Sequence, residues 1–165
     1  MMTSTFRSIA RVASLCAVMT LTACSEELDP GSGGNTPSNP ATETFASALG
    51  VNIATMAKKN DNLYVQDLVV GTGTETVNGK TVGMTYTGWL KNGTQFDSNV
   101  GGVVFPFVLG TGNVIDGWHQ GILGMKVGGK RRLVIGSSLG YGSAGNGPIP
   151  PNATLVFDVE LKSAQ

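Results

Sequence analysis

The chain has 165 residues, enough for one ordinary domain and an extension. Charged side chains make up 13%, about half the usual ~25%, and eleven basic residues balance eleven acidic ones. That balance argues against a nucleic-acid binder, and 24 glycines without a three-residue period point to a loop-rich β protein rather than collagen or a helical bundle.

The first residues read as an address. Met1 to Ala23 carry Arg7 and Arg11, no acid, and the mostly apolar run Val12 to Ala23, too short to span a bilayer at the ~20 residues needed. Charge order and length match a secretory signal, and Leu21-Thr22-Ala23-Cys24 resembles the bacterial lipobox, whose cysteine receives lipid. Cys16 then leaves with the signal and Cys24 is capped, so no intrachain disulfide is expected. The resemblance implies a lipid-anchored protein of the bacterial cell envelope, with Ser25 after the cysteine favouring the outer membrane. Residues 24–44 are nearly free of large apolar side chains and read as a flexible tether.

Phe45, Leu49, Ile53 and Met56 fall at helical spacing, so residues 45–62 are expected to form an N-terminal extension with a short helix packed on the domain. From Leu63 the pattern becomes β-like, and a domain over 63–165 is expected to fold without the tether. Leu63 to Val70 and Thr81 to Leu90 are strands, and Lys91-Asn92-Gly93-Thr94 supplies an Asn-Gly turn returning through Gln95 and Phe96. Phe105 to Leu109 and Lys130 to Ile135 are further strands, the basic run Lys130-Arg131-Arg132 being read as a solvated strand end. Ile115, Trp118, Ile122 and Met125 recur at three and four residues, a short amphipathic helix with Asp116 as a candidate cap. Thr154 to Lys162 alternates, with Leu155, Phe157, Val159 and Leu161 on one face and Asp158, Glu160 and Lys162 on the other.

Several chemistries drop out. Gly71 to Thr81 misses the phosphate-loop spacing by one position and is followed by a strand, so no nucleotide is expected. His119 is the single histidine and reads as a partly exposed helix residue, which leaves little material for a His-rich metal site or a hydrolase triad; no cofactor and no metal are expected. What remains is aromatic: Tyr86, Phe96, Phe105, Phe107, Trp118, Tyr141 and Phe157, with Asp97 and Asp116 in their neighbourhood. On spacing alone these are equally what the core of a β domain needs.

Four segments in order are more specific. Tyr86 to Ser98 (YTGWLKNGTQFDS), Val114 to Ile135 (VIDGWHQGILGMKVGGKRRLVI), Leu139 to Gly145 (LGYGSAG) and Ile149 to Leu161 (IPPNATLVFDVEL) resemble the FKBP-type peptidyl-prolyl isomerases. The resemblance implies an α+β fold, a twisted five-stranded antiparallel half-barrel wrapped on one short helix, with an apolar pocket between them. It implies that Trp118 forms the pocket floor, that Tyr86, Phe96, Phe105, Val114, Ile115 and Phe157 form its walls, that Asp97 and Tyr141 are its polar groups, and that Ile149 sits in a flap. The substrates implied are proline-containing polypeptides, with macrolides as inhibitors. The loop Asn99-Val100-Gly101-Gly102-Val103 lacks the arginine the family usually places there, so Asp97 is expected to be held less firmly. The short flap with Pro148 leaves no room for an inserted chaperone domain. A non-catalytic module that docks a partner through the same pocket is the alternative, and the full set of pocket aromatics favours the enzyme.

Overall fold

The computed structural model describes residues 36–165. The expected signal over residues 1–23, the expected lipidation residue Cys24 and the first part of the expected tether lie outside the described residues. Seven strands form one antiparallel sheet: β1 (Ala57–Asn60), β2 (Leu63–Val69), β3 (Thr81–Leu90), β4 (Gln95–Ser98), β5 (Phe105–Val108), β6 (Lys130–Ile135) and β7 (Leu155–Ala164). Their order across the sheet is β1-β2-β6-β7-β3-β4, and β5 pairs with β3 on the same edge as β4. β4 and β5 thus share one strand position, β4 opposite Thr87–Trp89 and β5 opposite Thr81–Met84. The five positions expected from sequence are present, and β1 adds a sixth from the N-terminal extension.

Among the described residues a single α-helix, α1 (Asp116–Ile122), lies against the inner face. It starts at Ile115, which makes no side-chain capping bond; Asp116 is the first helical residue, not the cap. A carboxylate there still complements the positive end of the helix. Gly117 lets the helix approach closely, since a Cβ at that position would meet the Ile135 side chain at 2.5 Å. Trp118, Ile122, Leu133, Ile135, Phe157, Val159 and Leu161 pack together as the main core.

The outer face differs from expectation. No α-helix forms over residues 45–62; the segment runs as two 3-10 turns, Ser47–Leu49 and Ile53–Thr55, then β1. Gly50, in the left-handed conformation at φ 61°, ends the first turn, and a helix cannot continue cheaply through it. The segment lays Leu49 and Met56 on Tyr64, Val134 and Val156 as a second buried cluster, with Phe45, Ile53 and Trp89 at its margin. Part of the expected tether is also structured: Pro40–Thr42 forms a 3-10 turn, and Ser38 and Pro40 are buried.

The basic run is equally far from a solvated strand end. Arg131 is buried, forks onto Asp67 at 2.7 and 3.1 Å and donates to the Gly121 carbonyl at the end of α1. Arg132 forks onto Asp158 at 2.6 and 2.7 Å and donates to the Leu49 carbonyl, tying the extension to the sheet. Residues 36–60 are therefore a strap over the sheet, and a domain begun at Leu63 would leave Tyr64, Val134 and Val156 uncovered. Leu49→Ala should lower stability by about 2 kcal/mol in urea unfolding, through lost burial and a partly filled cavity. An unchanged midpoint would show that the strap lies on the domain without stabilising it.

Candidate functional site

The open end of the sheet, beyond the start of α1, holds a cleft of about 140 Å³. Trp118 from α1 lies at its base, 4% exposed, ringed by aromatic side chains from three strands. Its ring centroid is 5.0 Å from Tyr86 on β3, 5.4 Å from Phe157 on β7, and 5.8 and 6.3 Å from Phe107 and Phe105 on β5. The Tyr86, Phe105 and Phe157 rings stand nearly perpendicular to the indole, at 82°, 80° and 86°, so the contacts are T-shaped rather than stacked flat. Phe96 on β4 packs edge-on to Phe157 at 5.5 Å. Strand register makes this convergence: Gly88 pairs with Phe157, and Tyr86 with Val159 two residues along the same face. Gly88 must be glycine here, because a Cβ would meet the Phe96 and Phe157 rings at 2.6 and 2.7 Å.

Val114, Ile115 and Tyr141 complete the lining with Asn113, a residue the sequence reading missed, and Asp97 is the one charged group among the lining residues. Ile149 is not part of it. Asn146 and Ile149 exchange two backbone bonds of 2.9 Å, and that tight flap turns the isoleucine inward, 6% exposed, against the main core. The Trp118 indole N–H is buried and has no hydrogen-bond partner among the described residues.

The comparisons with known proteins agree with this geometry. The family model of FKBP-type peptidyl-prolyl cis-trans isomerases matches residues 73–162, just over half of the chain. The chain belongs to this family. It is 52% identical over 102 residues to an FK506-binding protein of Neisseria meningitidis serogroup A, covering 61% of this chain and 94% of that one. It is 51% identical over 109 residues to FK506-binding protein 4 of Rhizopus delemar, covering 66% of this chain but 28% of the fungal protein. The chain therefore spans a little over a quarter of that relative's length. Among solved structures, AtFKBP13 aligns with a TM-score of 0.59 at 40% identity, over 62% of this chain and 93% of that one. FkpA from Escherichia coli aligns with a TM-score of 0.58 at 42% identity, over 62% and 48%. This is an FKBP-type isomerase domain, and the ring-lined cleft is its candidate active site.

Asp97 is held without an arginine. The Tyr86 hydroxyl donates to its carboxylate at 2.6 Å, a charge-assisted bond from within the cleft wall. Tyr86 is in turn fixed by Asn99, whose backbone N–H donates to the Tyr86 carbonyl at 3.1 Å. The Asn99 side chain accepts from the Tyr86 N–H at 2.7 Å and donates to Met84 and Val103 carbonyls at 3.1 and 2.9 Å. Asn99 fills the gap in the ladder between β4 and β5, a role that a loop asparagine does not announce in sequence. His119 is half-buried on α1, as expected, and its Nδ1 accepts from the Gly110 N–H at 3.0 Å, outside the cleft lining.

Burial, then the bond to Asp97 and the Asp97 charge, raise the Tyr86 hydroxyl's pKa well above its ordinary value. The folded state thus holds that proton more tightly than the unfolded chain does. The resulting stabilisation is complete below about pH 10, the unperturbed tyrosine value, and is lost as pH rises through the higher folded value. A difference titration of tyrosinate absorbance, wild type minus Tyr86→Phe, should place the Tyr86 step above pH ~10. A step at or below that pH would mean that the hydroxyl is neither buried nor bonded to Asp97.

Proposed function

We propose that this chain isomerises Xaa-Pro bonds of secreted and envelope polypeptides, held to the bacterial outer membrane by lipid on Cys24. The observation that carries the catalytic part is the set of aromatic rings gathered around Trp118, with Asp97, Asn113 and Tyr141 among the residues that line the same cleft. A prolyl bond resists rotation by a barrier of ~18–20 kcal/mol because nitrogen lone-pair delocalisation into the carbonyl must be broken. The twisted transition state has less charge separation than either planar isomer, so a dry aromatic cleft stabilises it relative to water.

In this reading the proline ring sits on the Trp118 indole between Tyr86, Phe96, Phe105 and Phe157, with Val114 and Ile115 closing the helix side. The Tyr141 hydroxyl donates to the substrate carbonyl, and Asp97, fixed by Tyr86, is the acceptor at the rim. Uncatalysed exchange takes 10–100 s, so turnover near a millisecond needs roughly 10⁴–10⁵-fold, or ~5.5–7 kcal/mol of barrier. Desolvation, ring burial and one or two hydrogen bonds supply an effect of that size without a nucleophile or general acid. The relatives bear the name FK506-binding protein, which supports a macrolide of that class as a ligand of the same cleft.

A protease-coupled cis/trans assay tests the reading. The full chain should accelerate Leu-Pro peptides, and Tyr141→Phe should lower kcat/KM about tenfold, the loss of one hydrogen bond in the transition state. Glu-Pro peptides should be turned over at least about tenfold more slowly than Leu-Pro, because their carboxylate loses water beside Asp97 with no cation to receive it. Equal kcat/KM for the two would overturn this account of the cleft, and no acceleration of either would leave a binding module. The anchoring part is supported by the lipobox pattern alone. Cys24→Ser should move the protein from the membrane fraction to the soluble fraction, and full retention on membranes at high salt would refute lipidation at that residue.

A further inference from the structure

Ser38 and Ser137, ninety-nine residues apart, exchange two hydrogen bonds. The Ser38 N–H donates to the Ser137 hydroxyl at 2.9 Å, and the Ser137 N–H donates to the Ser38 hydroxyl at 2.9 Å. Both residues are buried, at 8% and 1% exposure. The strap passes so close here that a Cβ on Gly136 would meet the Ser38 carbonyl at 2.9 Å and Pro40 at 3.0 Å. On the other side of the same residue, the Ser137 carbonyl accepts from the Gly140 N–H at 3.0 Å and the Gly142 N–H at 2.9 Å, the two residues that flank Tyr141. One residue thus joins the strap to the turn that carries a cleft side chain.

We infer that Ser38 is a positioning residue for Tyr141, so that the strap forms part of the isomerase machinery although it precedes the family's matched region. The physical reason is local. Ser137 holds the Tyr141 turn through one carbonyl, and Ser38 restrains both the Ser137 backbone and its hydroxyl. Without the Ser38 hydroxyl, the Ser137 N–H is a buried donor with no acceptor, and the turn must shift to satisfy it. Gly140 and Gly142 add no side-chain contacts, and the other bonds on the turn, from the Gly145 N–H to the Tyr141 carbonyl at 3.2 Å and from the Asn152 N–H to the Gly142 carbonyl at 2.8 Å, tie its far side and not the Ser137 side. The Tyr141 hydroxyl then loses its fixed position at the cleft edge. The inference rests on the proposal that Tyr141 donates to the substrate.

A double-mutant cycle on the full chain tests it, read as kcat/KM for a Leu-Pro peptide. Ser38→Ala should lower kcat/KM about fivefold in the wild-type background and less than about twofold in the Tyr141→Phe background, since contacting residues couple and distant ones add. The loss of stability on urea unfolding should be similar in both backgrounds, which a purely structural role predicts for activity as well. Should Ser38→Ala fail to fold, Ser38→Cys carries the same expectation, keeping the shape while substituting a weak acceptor. Equal losses of activity in the two backgrounds, or none in either, would overturn the inference alone. Wild-type activity in Tyr141→Phe would overturn the reading of Tyr141 and the inference with it.

Discussion

The strand Leu155–Ala164 has almost no face left for water at its start, and the molecule is arranged around that fact. Leu155, Val156 and Phe157 are consecutive and all buried, so the sheet must be covered on both sides there. The inner cover is the single helix, whose Trp118 rests on Phe157. The outer cover is the strap, whose Leu49 and Met56 join Val156. A seven-residue helix cannot hold itself in water. Its position is set by packing on β6, by Gly117 against Ile135, and by Arg131 on its final carbonyls.

The cleft follows from the same strand. Phe157 belongs to the core and to the cleft wall at once, and the absence of a side chain at Gly88 lets Phe96 close against it. The aromatic walls from β3, β4, β5 and β7 are thus extensions of the core, while Asn113, Val114, Ile115 and Tyr141 reach the cleft from loops and turns. Polar contacts hold the rim. Tyr86 makes the link between the two layers: its ring packs on Trp118, its hydroxyl holds Asp97, and its backbone is held by Asn99. The Tyr86 hydroxyl thus restrains the Asp97 carboxylate from inside the wall.

Much of this was legible in the residues. Alternation in Leu155 to Leu161 and the three-and-four spacing through Ile115 to Ile122 identify β7 and α1 by period alone. The ordered motifs identify nine of the ten cleft residues expected from sequence, Ile149 being the exception. Its place depends on how a short flap turns, which no periodicity encodes. The strap escapes periodicity because Phe45, Leu49, Ile53 and Met56 mimic a helical stripe, whereas Gly50 and Asn52 cap two separate 3-10 turns. A better signal lay in the partner strands. Tyr64, Trp89, Val134 and Val156 are large and apolar on the face that simple alternation assigns to solvent, and four such residues require a cover. Arg131 and Arg132 were misread for a related reason: adjacent residues on a strand face opposite sides, so a basic pair can serve two different buried partners.

The distribution of polar contacts also fits the chemistry. A reaction that moves no proton and forms no covalent bond to the protein needs a flat, dry floor and fixed edges. Trp118 supplies the floor, and its buried indole N–H goes without a partner among the described residues. The satisfied polar bonds lie around that floor: Tyr86 on Asp97 at the rim, Asn99 behind Tyr86, and Ser38 on Ser137 beneath the Tyr141 turn. The rings that line the cleft are thus held by polar groups placed beside and behind them.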